Sequence, residues 1–194
     1  HNNIDDGWDL YAKSTTGSIG AVTIENCVAY SNGFLSTEDP ATTDPKLLGE
    51  GNGFKLGGEN MPGAHVLKNS ISYNNYAKGV TSNSGPDCQI YLCTAYNNSL
   101  KGGSYNVSLY TKTSNPKAWV LSGMLSIAEN GTTAAELGSS NGVIYSLRSS
   151  SNYLFDGSKS TNNQGVQATS DWFISTDITV QPTRFTMDDP TVSD

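Results

Sequence analysis

The chain has 194 residues, a net charge of −7 and only 15% charged residues, which argues against nucleic-acid binding because no basic face is available to neutralise phosphates. No stretch reaches the roughly 18 apolar residues that a membrane-spanning helix needs. A background dominated by Gly, Asn, Ser and Thr breaks helices or competes with their hydrogen bonds and suits one domain of short strands and many turns.

Taken from the start, His1-Asn2-Asn3 reads as the tail of a repeat whose beginning is missing. A solenoid coil cannot bury its core face without a neighbour or a cap, so coils N-terminal to His1 are expected. Asp5-Asp6-Gly7 is a turn, and Gly7-Trp8-Asp9-Leu10 a short strand. The segment Ile24–Tyr30 can be laid over Leu67–Tyr73, Ile90–Tyr96 and Leu121–Ile127. An asparagine follows each copy, at Asn32, Asn75, Asn98 and, one place later, Asn130. Asparagine tolerates the left-handed backbone of a tight turn, and stacked amides can bond along the solenoid axis. The shortest interval, 23 residues from Asn75 to Asn98, is the size of one bare coil; the longer ones are a coil plus an insertion.

A second register joins Gly7-Trp8-Asp9-Leu10 to Gly53-Phe54-Lys55-Leu56, Gly79-Val80-Thr81-Ser82 and Asn106-Val107-Ser108-Leu109. Alternation along a strand places Trp8, Phe54, Val80 and Val107 inside, with Leu10, Leu56 and Leu109, and turns Asp9, Lys55, Thr81 and Ser108 outward. The insertion at residues 34–51 reads as a surface loop overhanging that outward row. Residues 1–131 are thus expected as regular coils, and 132–194 as irregular final coils and a C-terminal tail.

The outward row carries the chemistry. Asp5, Asp6 and Asp9 are three carboxylates on one edge, which repel one another unless a cation sits between them; hard oxygen ligands favour calcium. Spacing alone favours an ordinary Asp-Asp-Gly turn over a calcium site. Lys55 shares the register of Asp9 on an adjacent coil, about 4.8 Å away. Beside a bound cation its ammonium is expected to lose a proton readily and serve as a general base; a solvated surface lysine is the alternative. Cys27, Cys88 and Cys93 are an odd set that makes no disulfide framework and reads as packing residues. Lys13, Lys68, Lys78 and Lys101 could meet substrate carboxylates or simply be solvated, and His65 has no partner that the sequence identifies.

His1-Asn-Asn-Ile-Asp-Asp-Gly-Trp-Asp-Leu10, followed by Gly49-Glu-Gly-Asn-Gly-Phe-Lys-Leu-Gly-Gly58, resembles polysaccharide lyase family 9. The Tyr73-Asn-Asn75 and Tyr96-Asn-Asn98 repeats extend the likeness to about residue 131. The resemblance implies a right-handed parallel β-helix, here lacking its N-terminal coils, that cleaves pectic polymers by β-elimination. It implies that Asp5, Asp6 and Asp9 bind Ca2+, and that Lys55 is the catalytic base. The family's calcium site also uses an aspartate from an earlier coil, which this chain does not contain. The partner implied is an acidic polysaccharide such as polygalacturonate, met outside the cell, with a metal ion bridging the like charges. A lyase of another uronate polymer such as rhamnogalacturonan, and a non-catalytic polysaccharide-binding β-helix, remain open.

Overall fold

The computed structural model describes residues 1–33, 49–101, 105–111, 118–129, 147 and 149–177. These form four coils of three short strands each. The first holds β1 (Trp8–Asp9), β2 (Thr23–Glu25) and β3 (Val28–Tyr30); the second, β4 (Phe54–Lys55), β5 (Val66–Lys68) and β6 (Ile71–Tyr73). The third holds β7 (Val80–Thr81), β8 (Gln89–Tyr91) and β9 (Thr94–Tyr96), and the fourth β10 (Val107–Ser108), β11 (Val120–Ser122) and β12 (Leu125–Ile127). Corresponding strands pair in parallel, giving the sheets β1-β4-β7-β10, β2-β5-β8-β11 and β3-β6-β9-β12. This is a parallel β-helix, in the expected register: Ile24 pairs with Leu67, Leu67 with Ile90, and Ile90 with Leu121.

Alternation decides which side chains fill the interior. Ile24, Leu67, Ile90 and Leu121 stack in one row, Phe54, Val80 and Val107 in another, and Leu56 and Leu109 lie in a third with Ser82 between them; all of these apolar side chains belong to a single core cluster. Each such aliphatic side chain taken from water contributes about 1.5–3 kcal/mol. The inward row of the third sheet is small, with Ala29, Ser72, Ala95 and Ser126 all buried. Cys88 and Cys93 are buried in the core and Cys27 packs against its edge, all three as free thiols.

The corners divide two tasks that the sequence assigned to one asparagine. The left-handed residue is the one before each ladder position: Asn2, Ser31, Asn74 and Asn97 have φ between 48° and 55°. The next residue supplies the amide ladder. Asn3 Nδ2 donates to Asn32 Oδ1 at 3.0 Å, Asn32 to Asn75 at 2.8 Å, and Asn75 to Asn98 at 2.8 Å. Asn98 then donates to Asn106 Oδ1 at 3.1 Å; Asn130, the last asparagine of the expected series, lies outside the described residues. In the three lower coils the register position of Asn106 is Gly7, Gly53 or Gly79, where a β-carbon would strike the ladder amide of Asn32, Asn75 or Asn98.

Trp8 lies in register with Phe54 as expected and is 41% exposed. One expectation is refined. Lys55, Thr81 and Ser108 face away from the core yet are buried, and only Asp9 of the outward row is exposed. Of the expected overhanging loop at 34–51, only 49–51 are described. After the fourth coil, Tyr153 bridges to Leu125, and β13 (Leu154–Phe155), β14 (Ser160–Thr161) and β15 (Gln167–Ala168) form an antiparallel sheet. Ala168 of that sheet packs with Tyr96 and Ile127 on the outer side of the third sheet.

Candidate active site

The first sheet brings together residues far apart in sequence. Trp8 pairs with Phe54 and Asp9 with Lys55, so the turn Asp5-Asp6-Gly7 stacks directly on Gly51-Asn52-Gly53. Backbone bonds lock the stack: Gly7 N–H donates to the Asn52 carbonyl at 2.8 Å and Gly53 N–H to the Lys78 carbonyl at 2.8 Å.

Each aspartate then has a distinct task. Asp5 Oδ1 accepts the Glu50 N–H at 2.6 Å, with its carboxyl laid over Gly49 where a β-carbon would overlap it. Asp6 Oδ1 accepts both the Asn52 N–H at 2.7 Å and the Asn52 amide at 2.8 Å. Its other oxygen, Oδ2, is buried, and its partner is the Lys55 ammonium, 3.0 Å away. Asp9 Oδ1 accepts the Tyr11 N–H at 2.9 Å, and Asp9 Oδ2 lies 3.3 Å from Lys55 Nζ. A third carboxylate, Glu50 Oε2, stands 3.6 Å from the same ammonium. Asp6 and Asp9 therefore meet at Lys55, whereas Asp5 is turned to the backbone of the next coil. Among the described residues no group of three or more His, Cys, Asp or Glu side chains is drawn together as a closed ligand set.

Burial pulls the Lys55 pKa down, but the Asp6 hydrogen bond and the charges of Asp6, Asp9 and Glu50 outweigh it, so Lys55 is held above the ordinary lysine value. The expectation of an easily lost proton was for a lysine beside a bound cation; among the carboxylates alone the shift runs upward. Asp6 is pushed up by burial, an effect that the Asn52 backbone bond and Lys55 only partly offset. Three carboxylates, Asp6, Asp9 and Glu50, face one point, and their oxygens are of the kind a hard cation takes; in this structure the Lys55 ammonium stands there.

Lys55 opens on a cavity of about 390 Å³ lined also by Asp9, Tyr11, Glu50, Glu59 and Tyr110. Tyr11, Glu50 and Glu59 were not singled out from the sequence. Glu50 follows Gly49 in the Lys55 motif, and its position could have been read from the register that places 50–52 beside 4–6. Of the other lysines, Lys68 pairs with Glu25 at 2.9 Å on the second sheet, away from this cavity. His65 is buried, its Nδ1 accepting the Val22 N–H at 3.2 Å.

A family model described as the Pel9A-like, right-handed β-helix region matches residues 1–115. Pectate lyase L of Thermoclostridium stercorarium is 45% identical over 175 residues, 90% of this chain and 13% of that protein. Pectate lyase L of Paenibacillus polymyxa is 52% identical over 84 residues, 43% of this chain and 18% of that protein. Pectate disaccharide-lyase of Dickeya chrysanthemi is 41% identical over 86 residues, 44% of this chain and 9% of that protein. The chain spans less than a fifth of the length of each of these three relatives.

Proposed function

This chain belongs to the Pel9A-like right-handed β-helix family, and on that premise we propose that it carries the catalytic coils of a calcium-dependent pectate lyase acting outside the cell. The observation that supports this most directly is the placement of Lys55 Nζ at 3.0 Å from Asp6 and 3.3 Å from Asp9, at the wall of an open cavity. An amine at such a point is suited to remove a proton from a substrate held by the same carboxylates through a cation.

In this reading Asp6 and Asp9, with Asp5 in support, would hold a calcium ion, which when bound would supply positive charge for the approach of an acidic uronate and for the charge developing on its carboxylate. Lys55, in its neutral form, takes the proton from C5 of the uronate. The electron pair of that C–H bond forms the C4–C5 double bond, and the C4–O bond breaks, its electrons leaving with the glycosidic oxygen. The products are a chain with a 4,5-unsaturated uronate at its new end and a chain whose oxygen acquires a proton. Because the side chain of lysine is ordinarily protonated below about pH 10.4, and the carboxylates around Lys55 raise it further, activity is expected to rise with pH.

The test is ultraviolet absorbance of polygalacturonate incubated with this chain and its natural flanking sequence, with calcium, with chelator, and with Lys55→Ala. Growth of the unsaturated-product band that needs calcium and disappears in Lys55→Ala is the expected result. Activity that persists in Lys55→Ala would remove the base assignment. Product from rhamnogalacturonan but not from polygalacturonate would replace the substrate and keep the mechanism.

A further inference from the structure

The last two glycines of the Lys55 motif, and the residue after them, have no place in the chemistry above, yet they build something. Gly58 lies against the ring of Tyr11, where any β-carbon would overlap it. Glu59 and Asn60 follow with φ of 45° and 59°, a left-handed conformation that costs energy in residues other than glycine and that tends to be kept where it serves a site. The turn carries the Glu59 carboxylate back across the coil. Its Oε1 accepts the Tyr11 phenol at 2.7 Å, and its Oε2 accepts the Ser14 N–H at 2.8 Å and hydroxyl at 2.7 Å. The bonds from Ser14 and Tyr11 bring the Glu59 pKa down to about 2, so the acceptor stays ionised. From its other side Tyr11 is held by its own N–H, bonded to Asp9 Oδ1 at 2.9 Å.

Tyr11 is thus braced by Asp9, Gly58 and Glu59, but its ring is not buried: it is 38% exposed and lines the cavity into which Lys55 opens. Its centroid is 5.2 Å from Lys55 Nζ. An aromatic face is electron-rich, and the C–H bonds on one face of a pyranose are its electropositive counterpart. A rigid aromatic wall among a few charged groups is the usual construction of a small-ligand pocket.

We infer that Tyr11 is a sugar-contacting residue of this site, setting a uronate ring against Lys55, and that Glu59 is the positioning residue that holds it. The inference rests on the pectate reading above and adds the surface that orients the ring. The test combines steady-state kinetics on polygalacturonate with calorimetric titration of trigalacturonate in a Lys55→Met background, where no turnover occurs. Tyr11→Ala is expected to raise KM and Kd at least tenfold, with the loss falling on KM rather than kcat. Tyr11→Phe keeps the ring and should stay within about threefold of the parent, and Glu59→Gln should fall between the two. Parental KM and Kd in Tyr11→Ala, or equal losses in Tyr11→Phe and Tyr11→Ala, would overturn the inference. A parent protein that binds no oligogalacturonate at all sinks the pectate reading itself, and that result is visible before any Tyr11 variant is compared.

Discussion

Replacing Lys55 with methionine should abolish lyase activity and at the same time tighten calcium binding. The ammonium of Lys55 stands 3.0 Å from Asp6 Oδ2 and 3.3 Å from Asp9 Oδ2, so it occupies the carboxylate field that a cation would use. Two unit charges about 4 Å apart interact by about 1 kcal/mol in water and about 4 kcal/mol at an effective dielectric of about 20. Asp9 is 39% exposed, so the lower end of that range applies, although a divalent ion doubles it. Removing even about 1.4 kcal/mol of repulsion tightens binding tenfold. Calorimetric titration of calcium at pH 8.5, where the carboxylates are ionised, should therefore give a Kd at least about tenfold lower for Lys55→Met than for the parent. Loss of Lys55 also leaves Asp6 buried without its counter-ion, so the calcium-free variant should unfold at lower urea than the parent and regain stability when calcium is added. A Kd that is unchanged within twofold, or weaker, would refute the placement of the ion at Asp6 and Asp9.

Asn75→Ala removes an amide that accepts from Asn32 N–H at 3.1 Å and Asn32 Nδ2 at 2.8 Å and donates to Asn98 Oδ1 at 2.8 Å and the Ala29 carbonyl at 3.0 Å. At about 1–3 kcal/mol for each buried group left unsatisfied, it should cost about 3–5 kcal/mol in urea unfolding; a cost below about 1 kcal/mol would show that water replaces the rung. Burial lowers the His65 pKa despite the opposing charge of Asp87, and its Nδ1 must stay unprotonated to accept from Val22. The contribution of neutral His65 is complete above its unfolded value of about 6.5 and is lost as pH falls below that. The urea midpoint should therefore drop between about pH 6.5 and 5 in the parent and less so in His65→Gln, and equal slopes in the two would exclude His65 as the cause. Burial pushes the Cys88 thiol up to about 12 and the Cys93 thiol up to about 11, so a thiol reagent at pH 8 should modify one cysteine of the native protein, Cys27, well before the others. Mapping of fast label to Cys88 or Cys93 would contradict their burial.

The register of the coils was legible because alternation and parallel stacking impose the same constraint on every turn: Ile24, Leu67, Ile90 and Leu121 pair as their spacing requires. What pattern could not supply was which residue performs a task at a corner, since the left-handed residue and the ladder amide are neighbours and both are often asparagine. The pairing of Asp9 with Lys55 followed from register, but the roles of Asp5 and Asp6 did not, because they depend on which carboxylate oxygen the next coil's backbone claims. Glu59 was missed because it reaches the site through a left-handed turn, and turns carry no periodicity; Glu50 was readable from the register and was overlooked. The consequence is chemical. On the proposed function, the carboxylates that would hold the cation are the ones that hold Lys55 protonated, so base and ion would compete for the same oxygens. Occupancy by a cation would weaken the hold on the lysine proton, and a neutral lysine would no longer repel the cation. Metal binding and base activation would in this way be coupled in one pair of stacked coils, and raising the pH should favour both together.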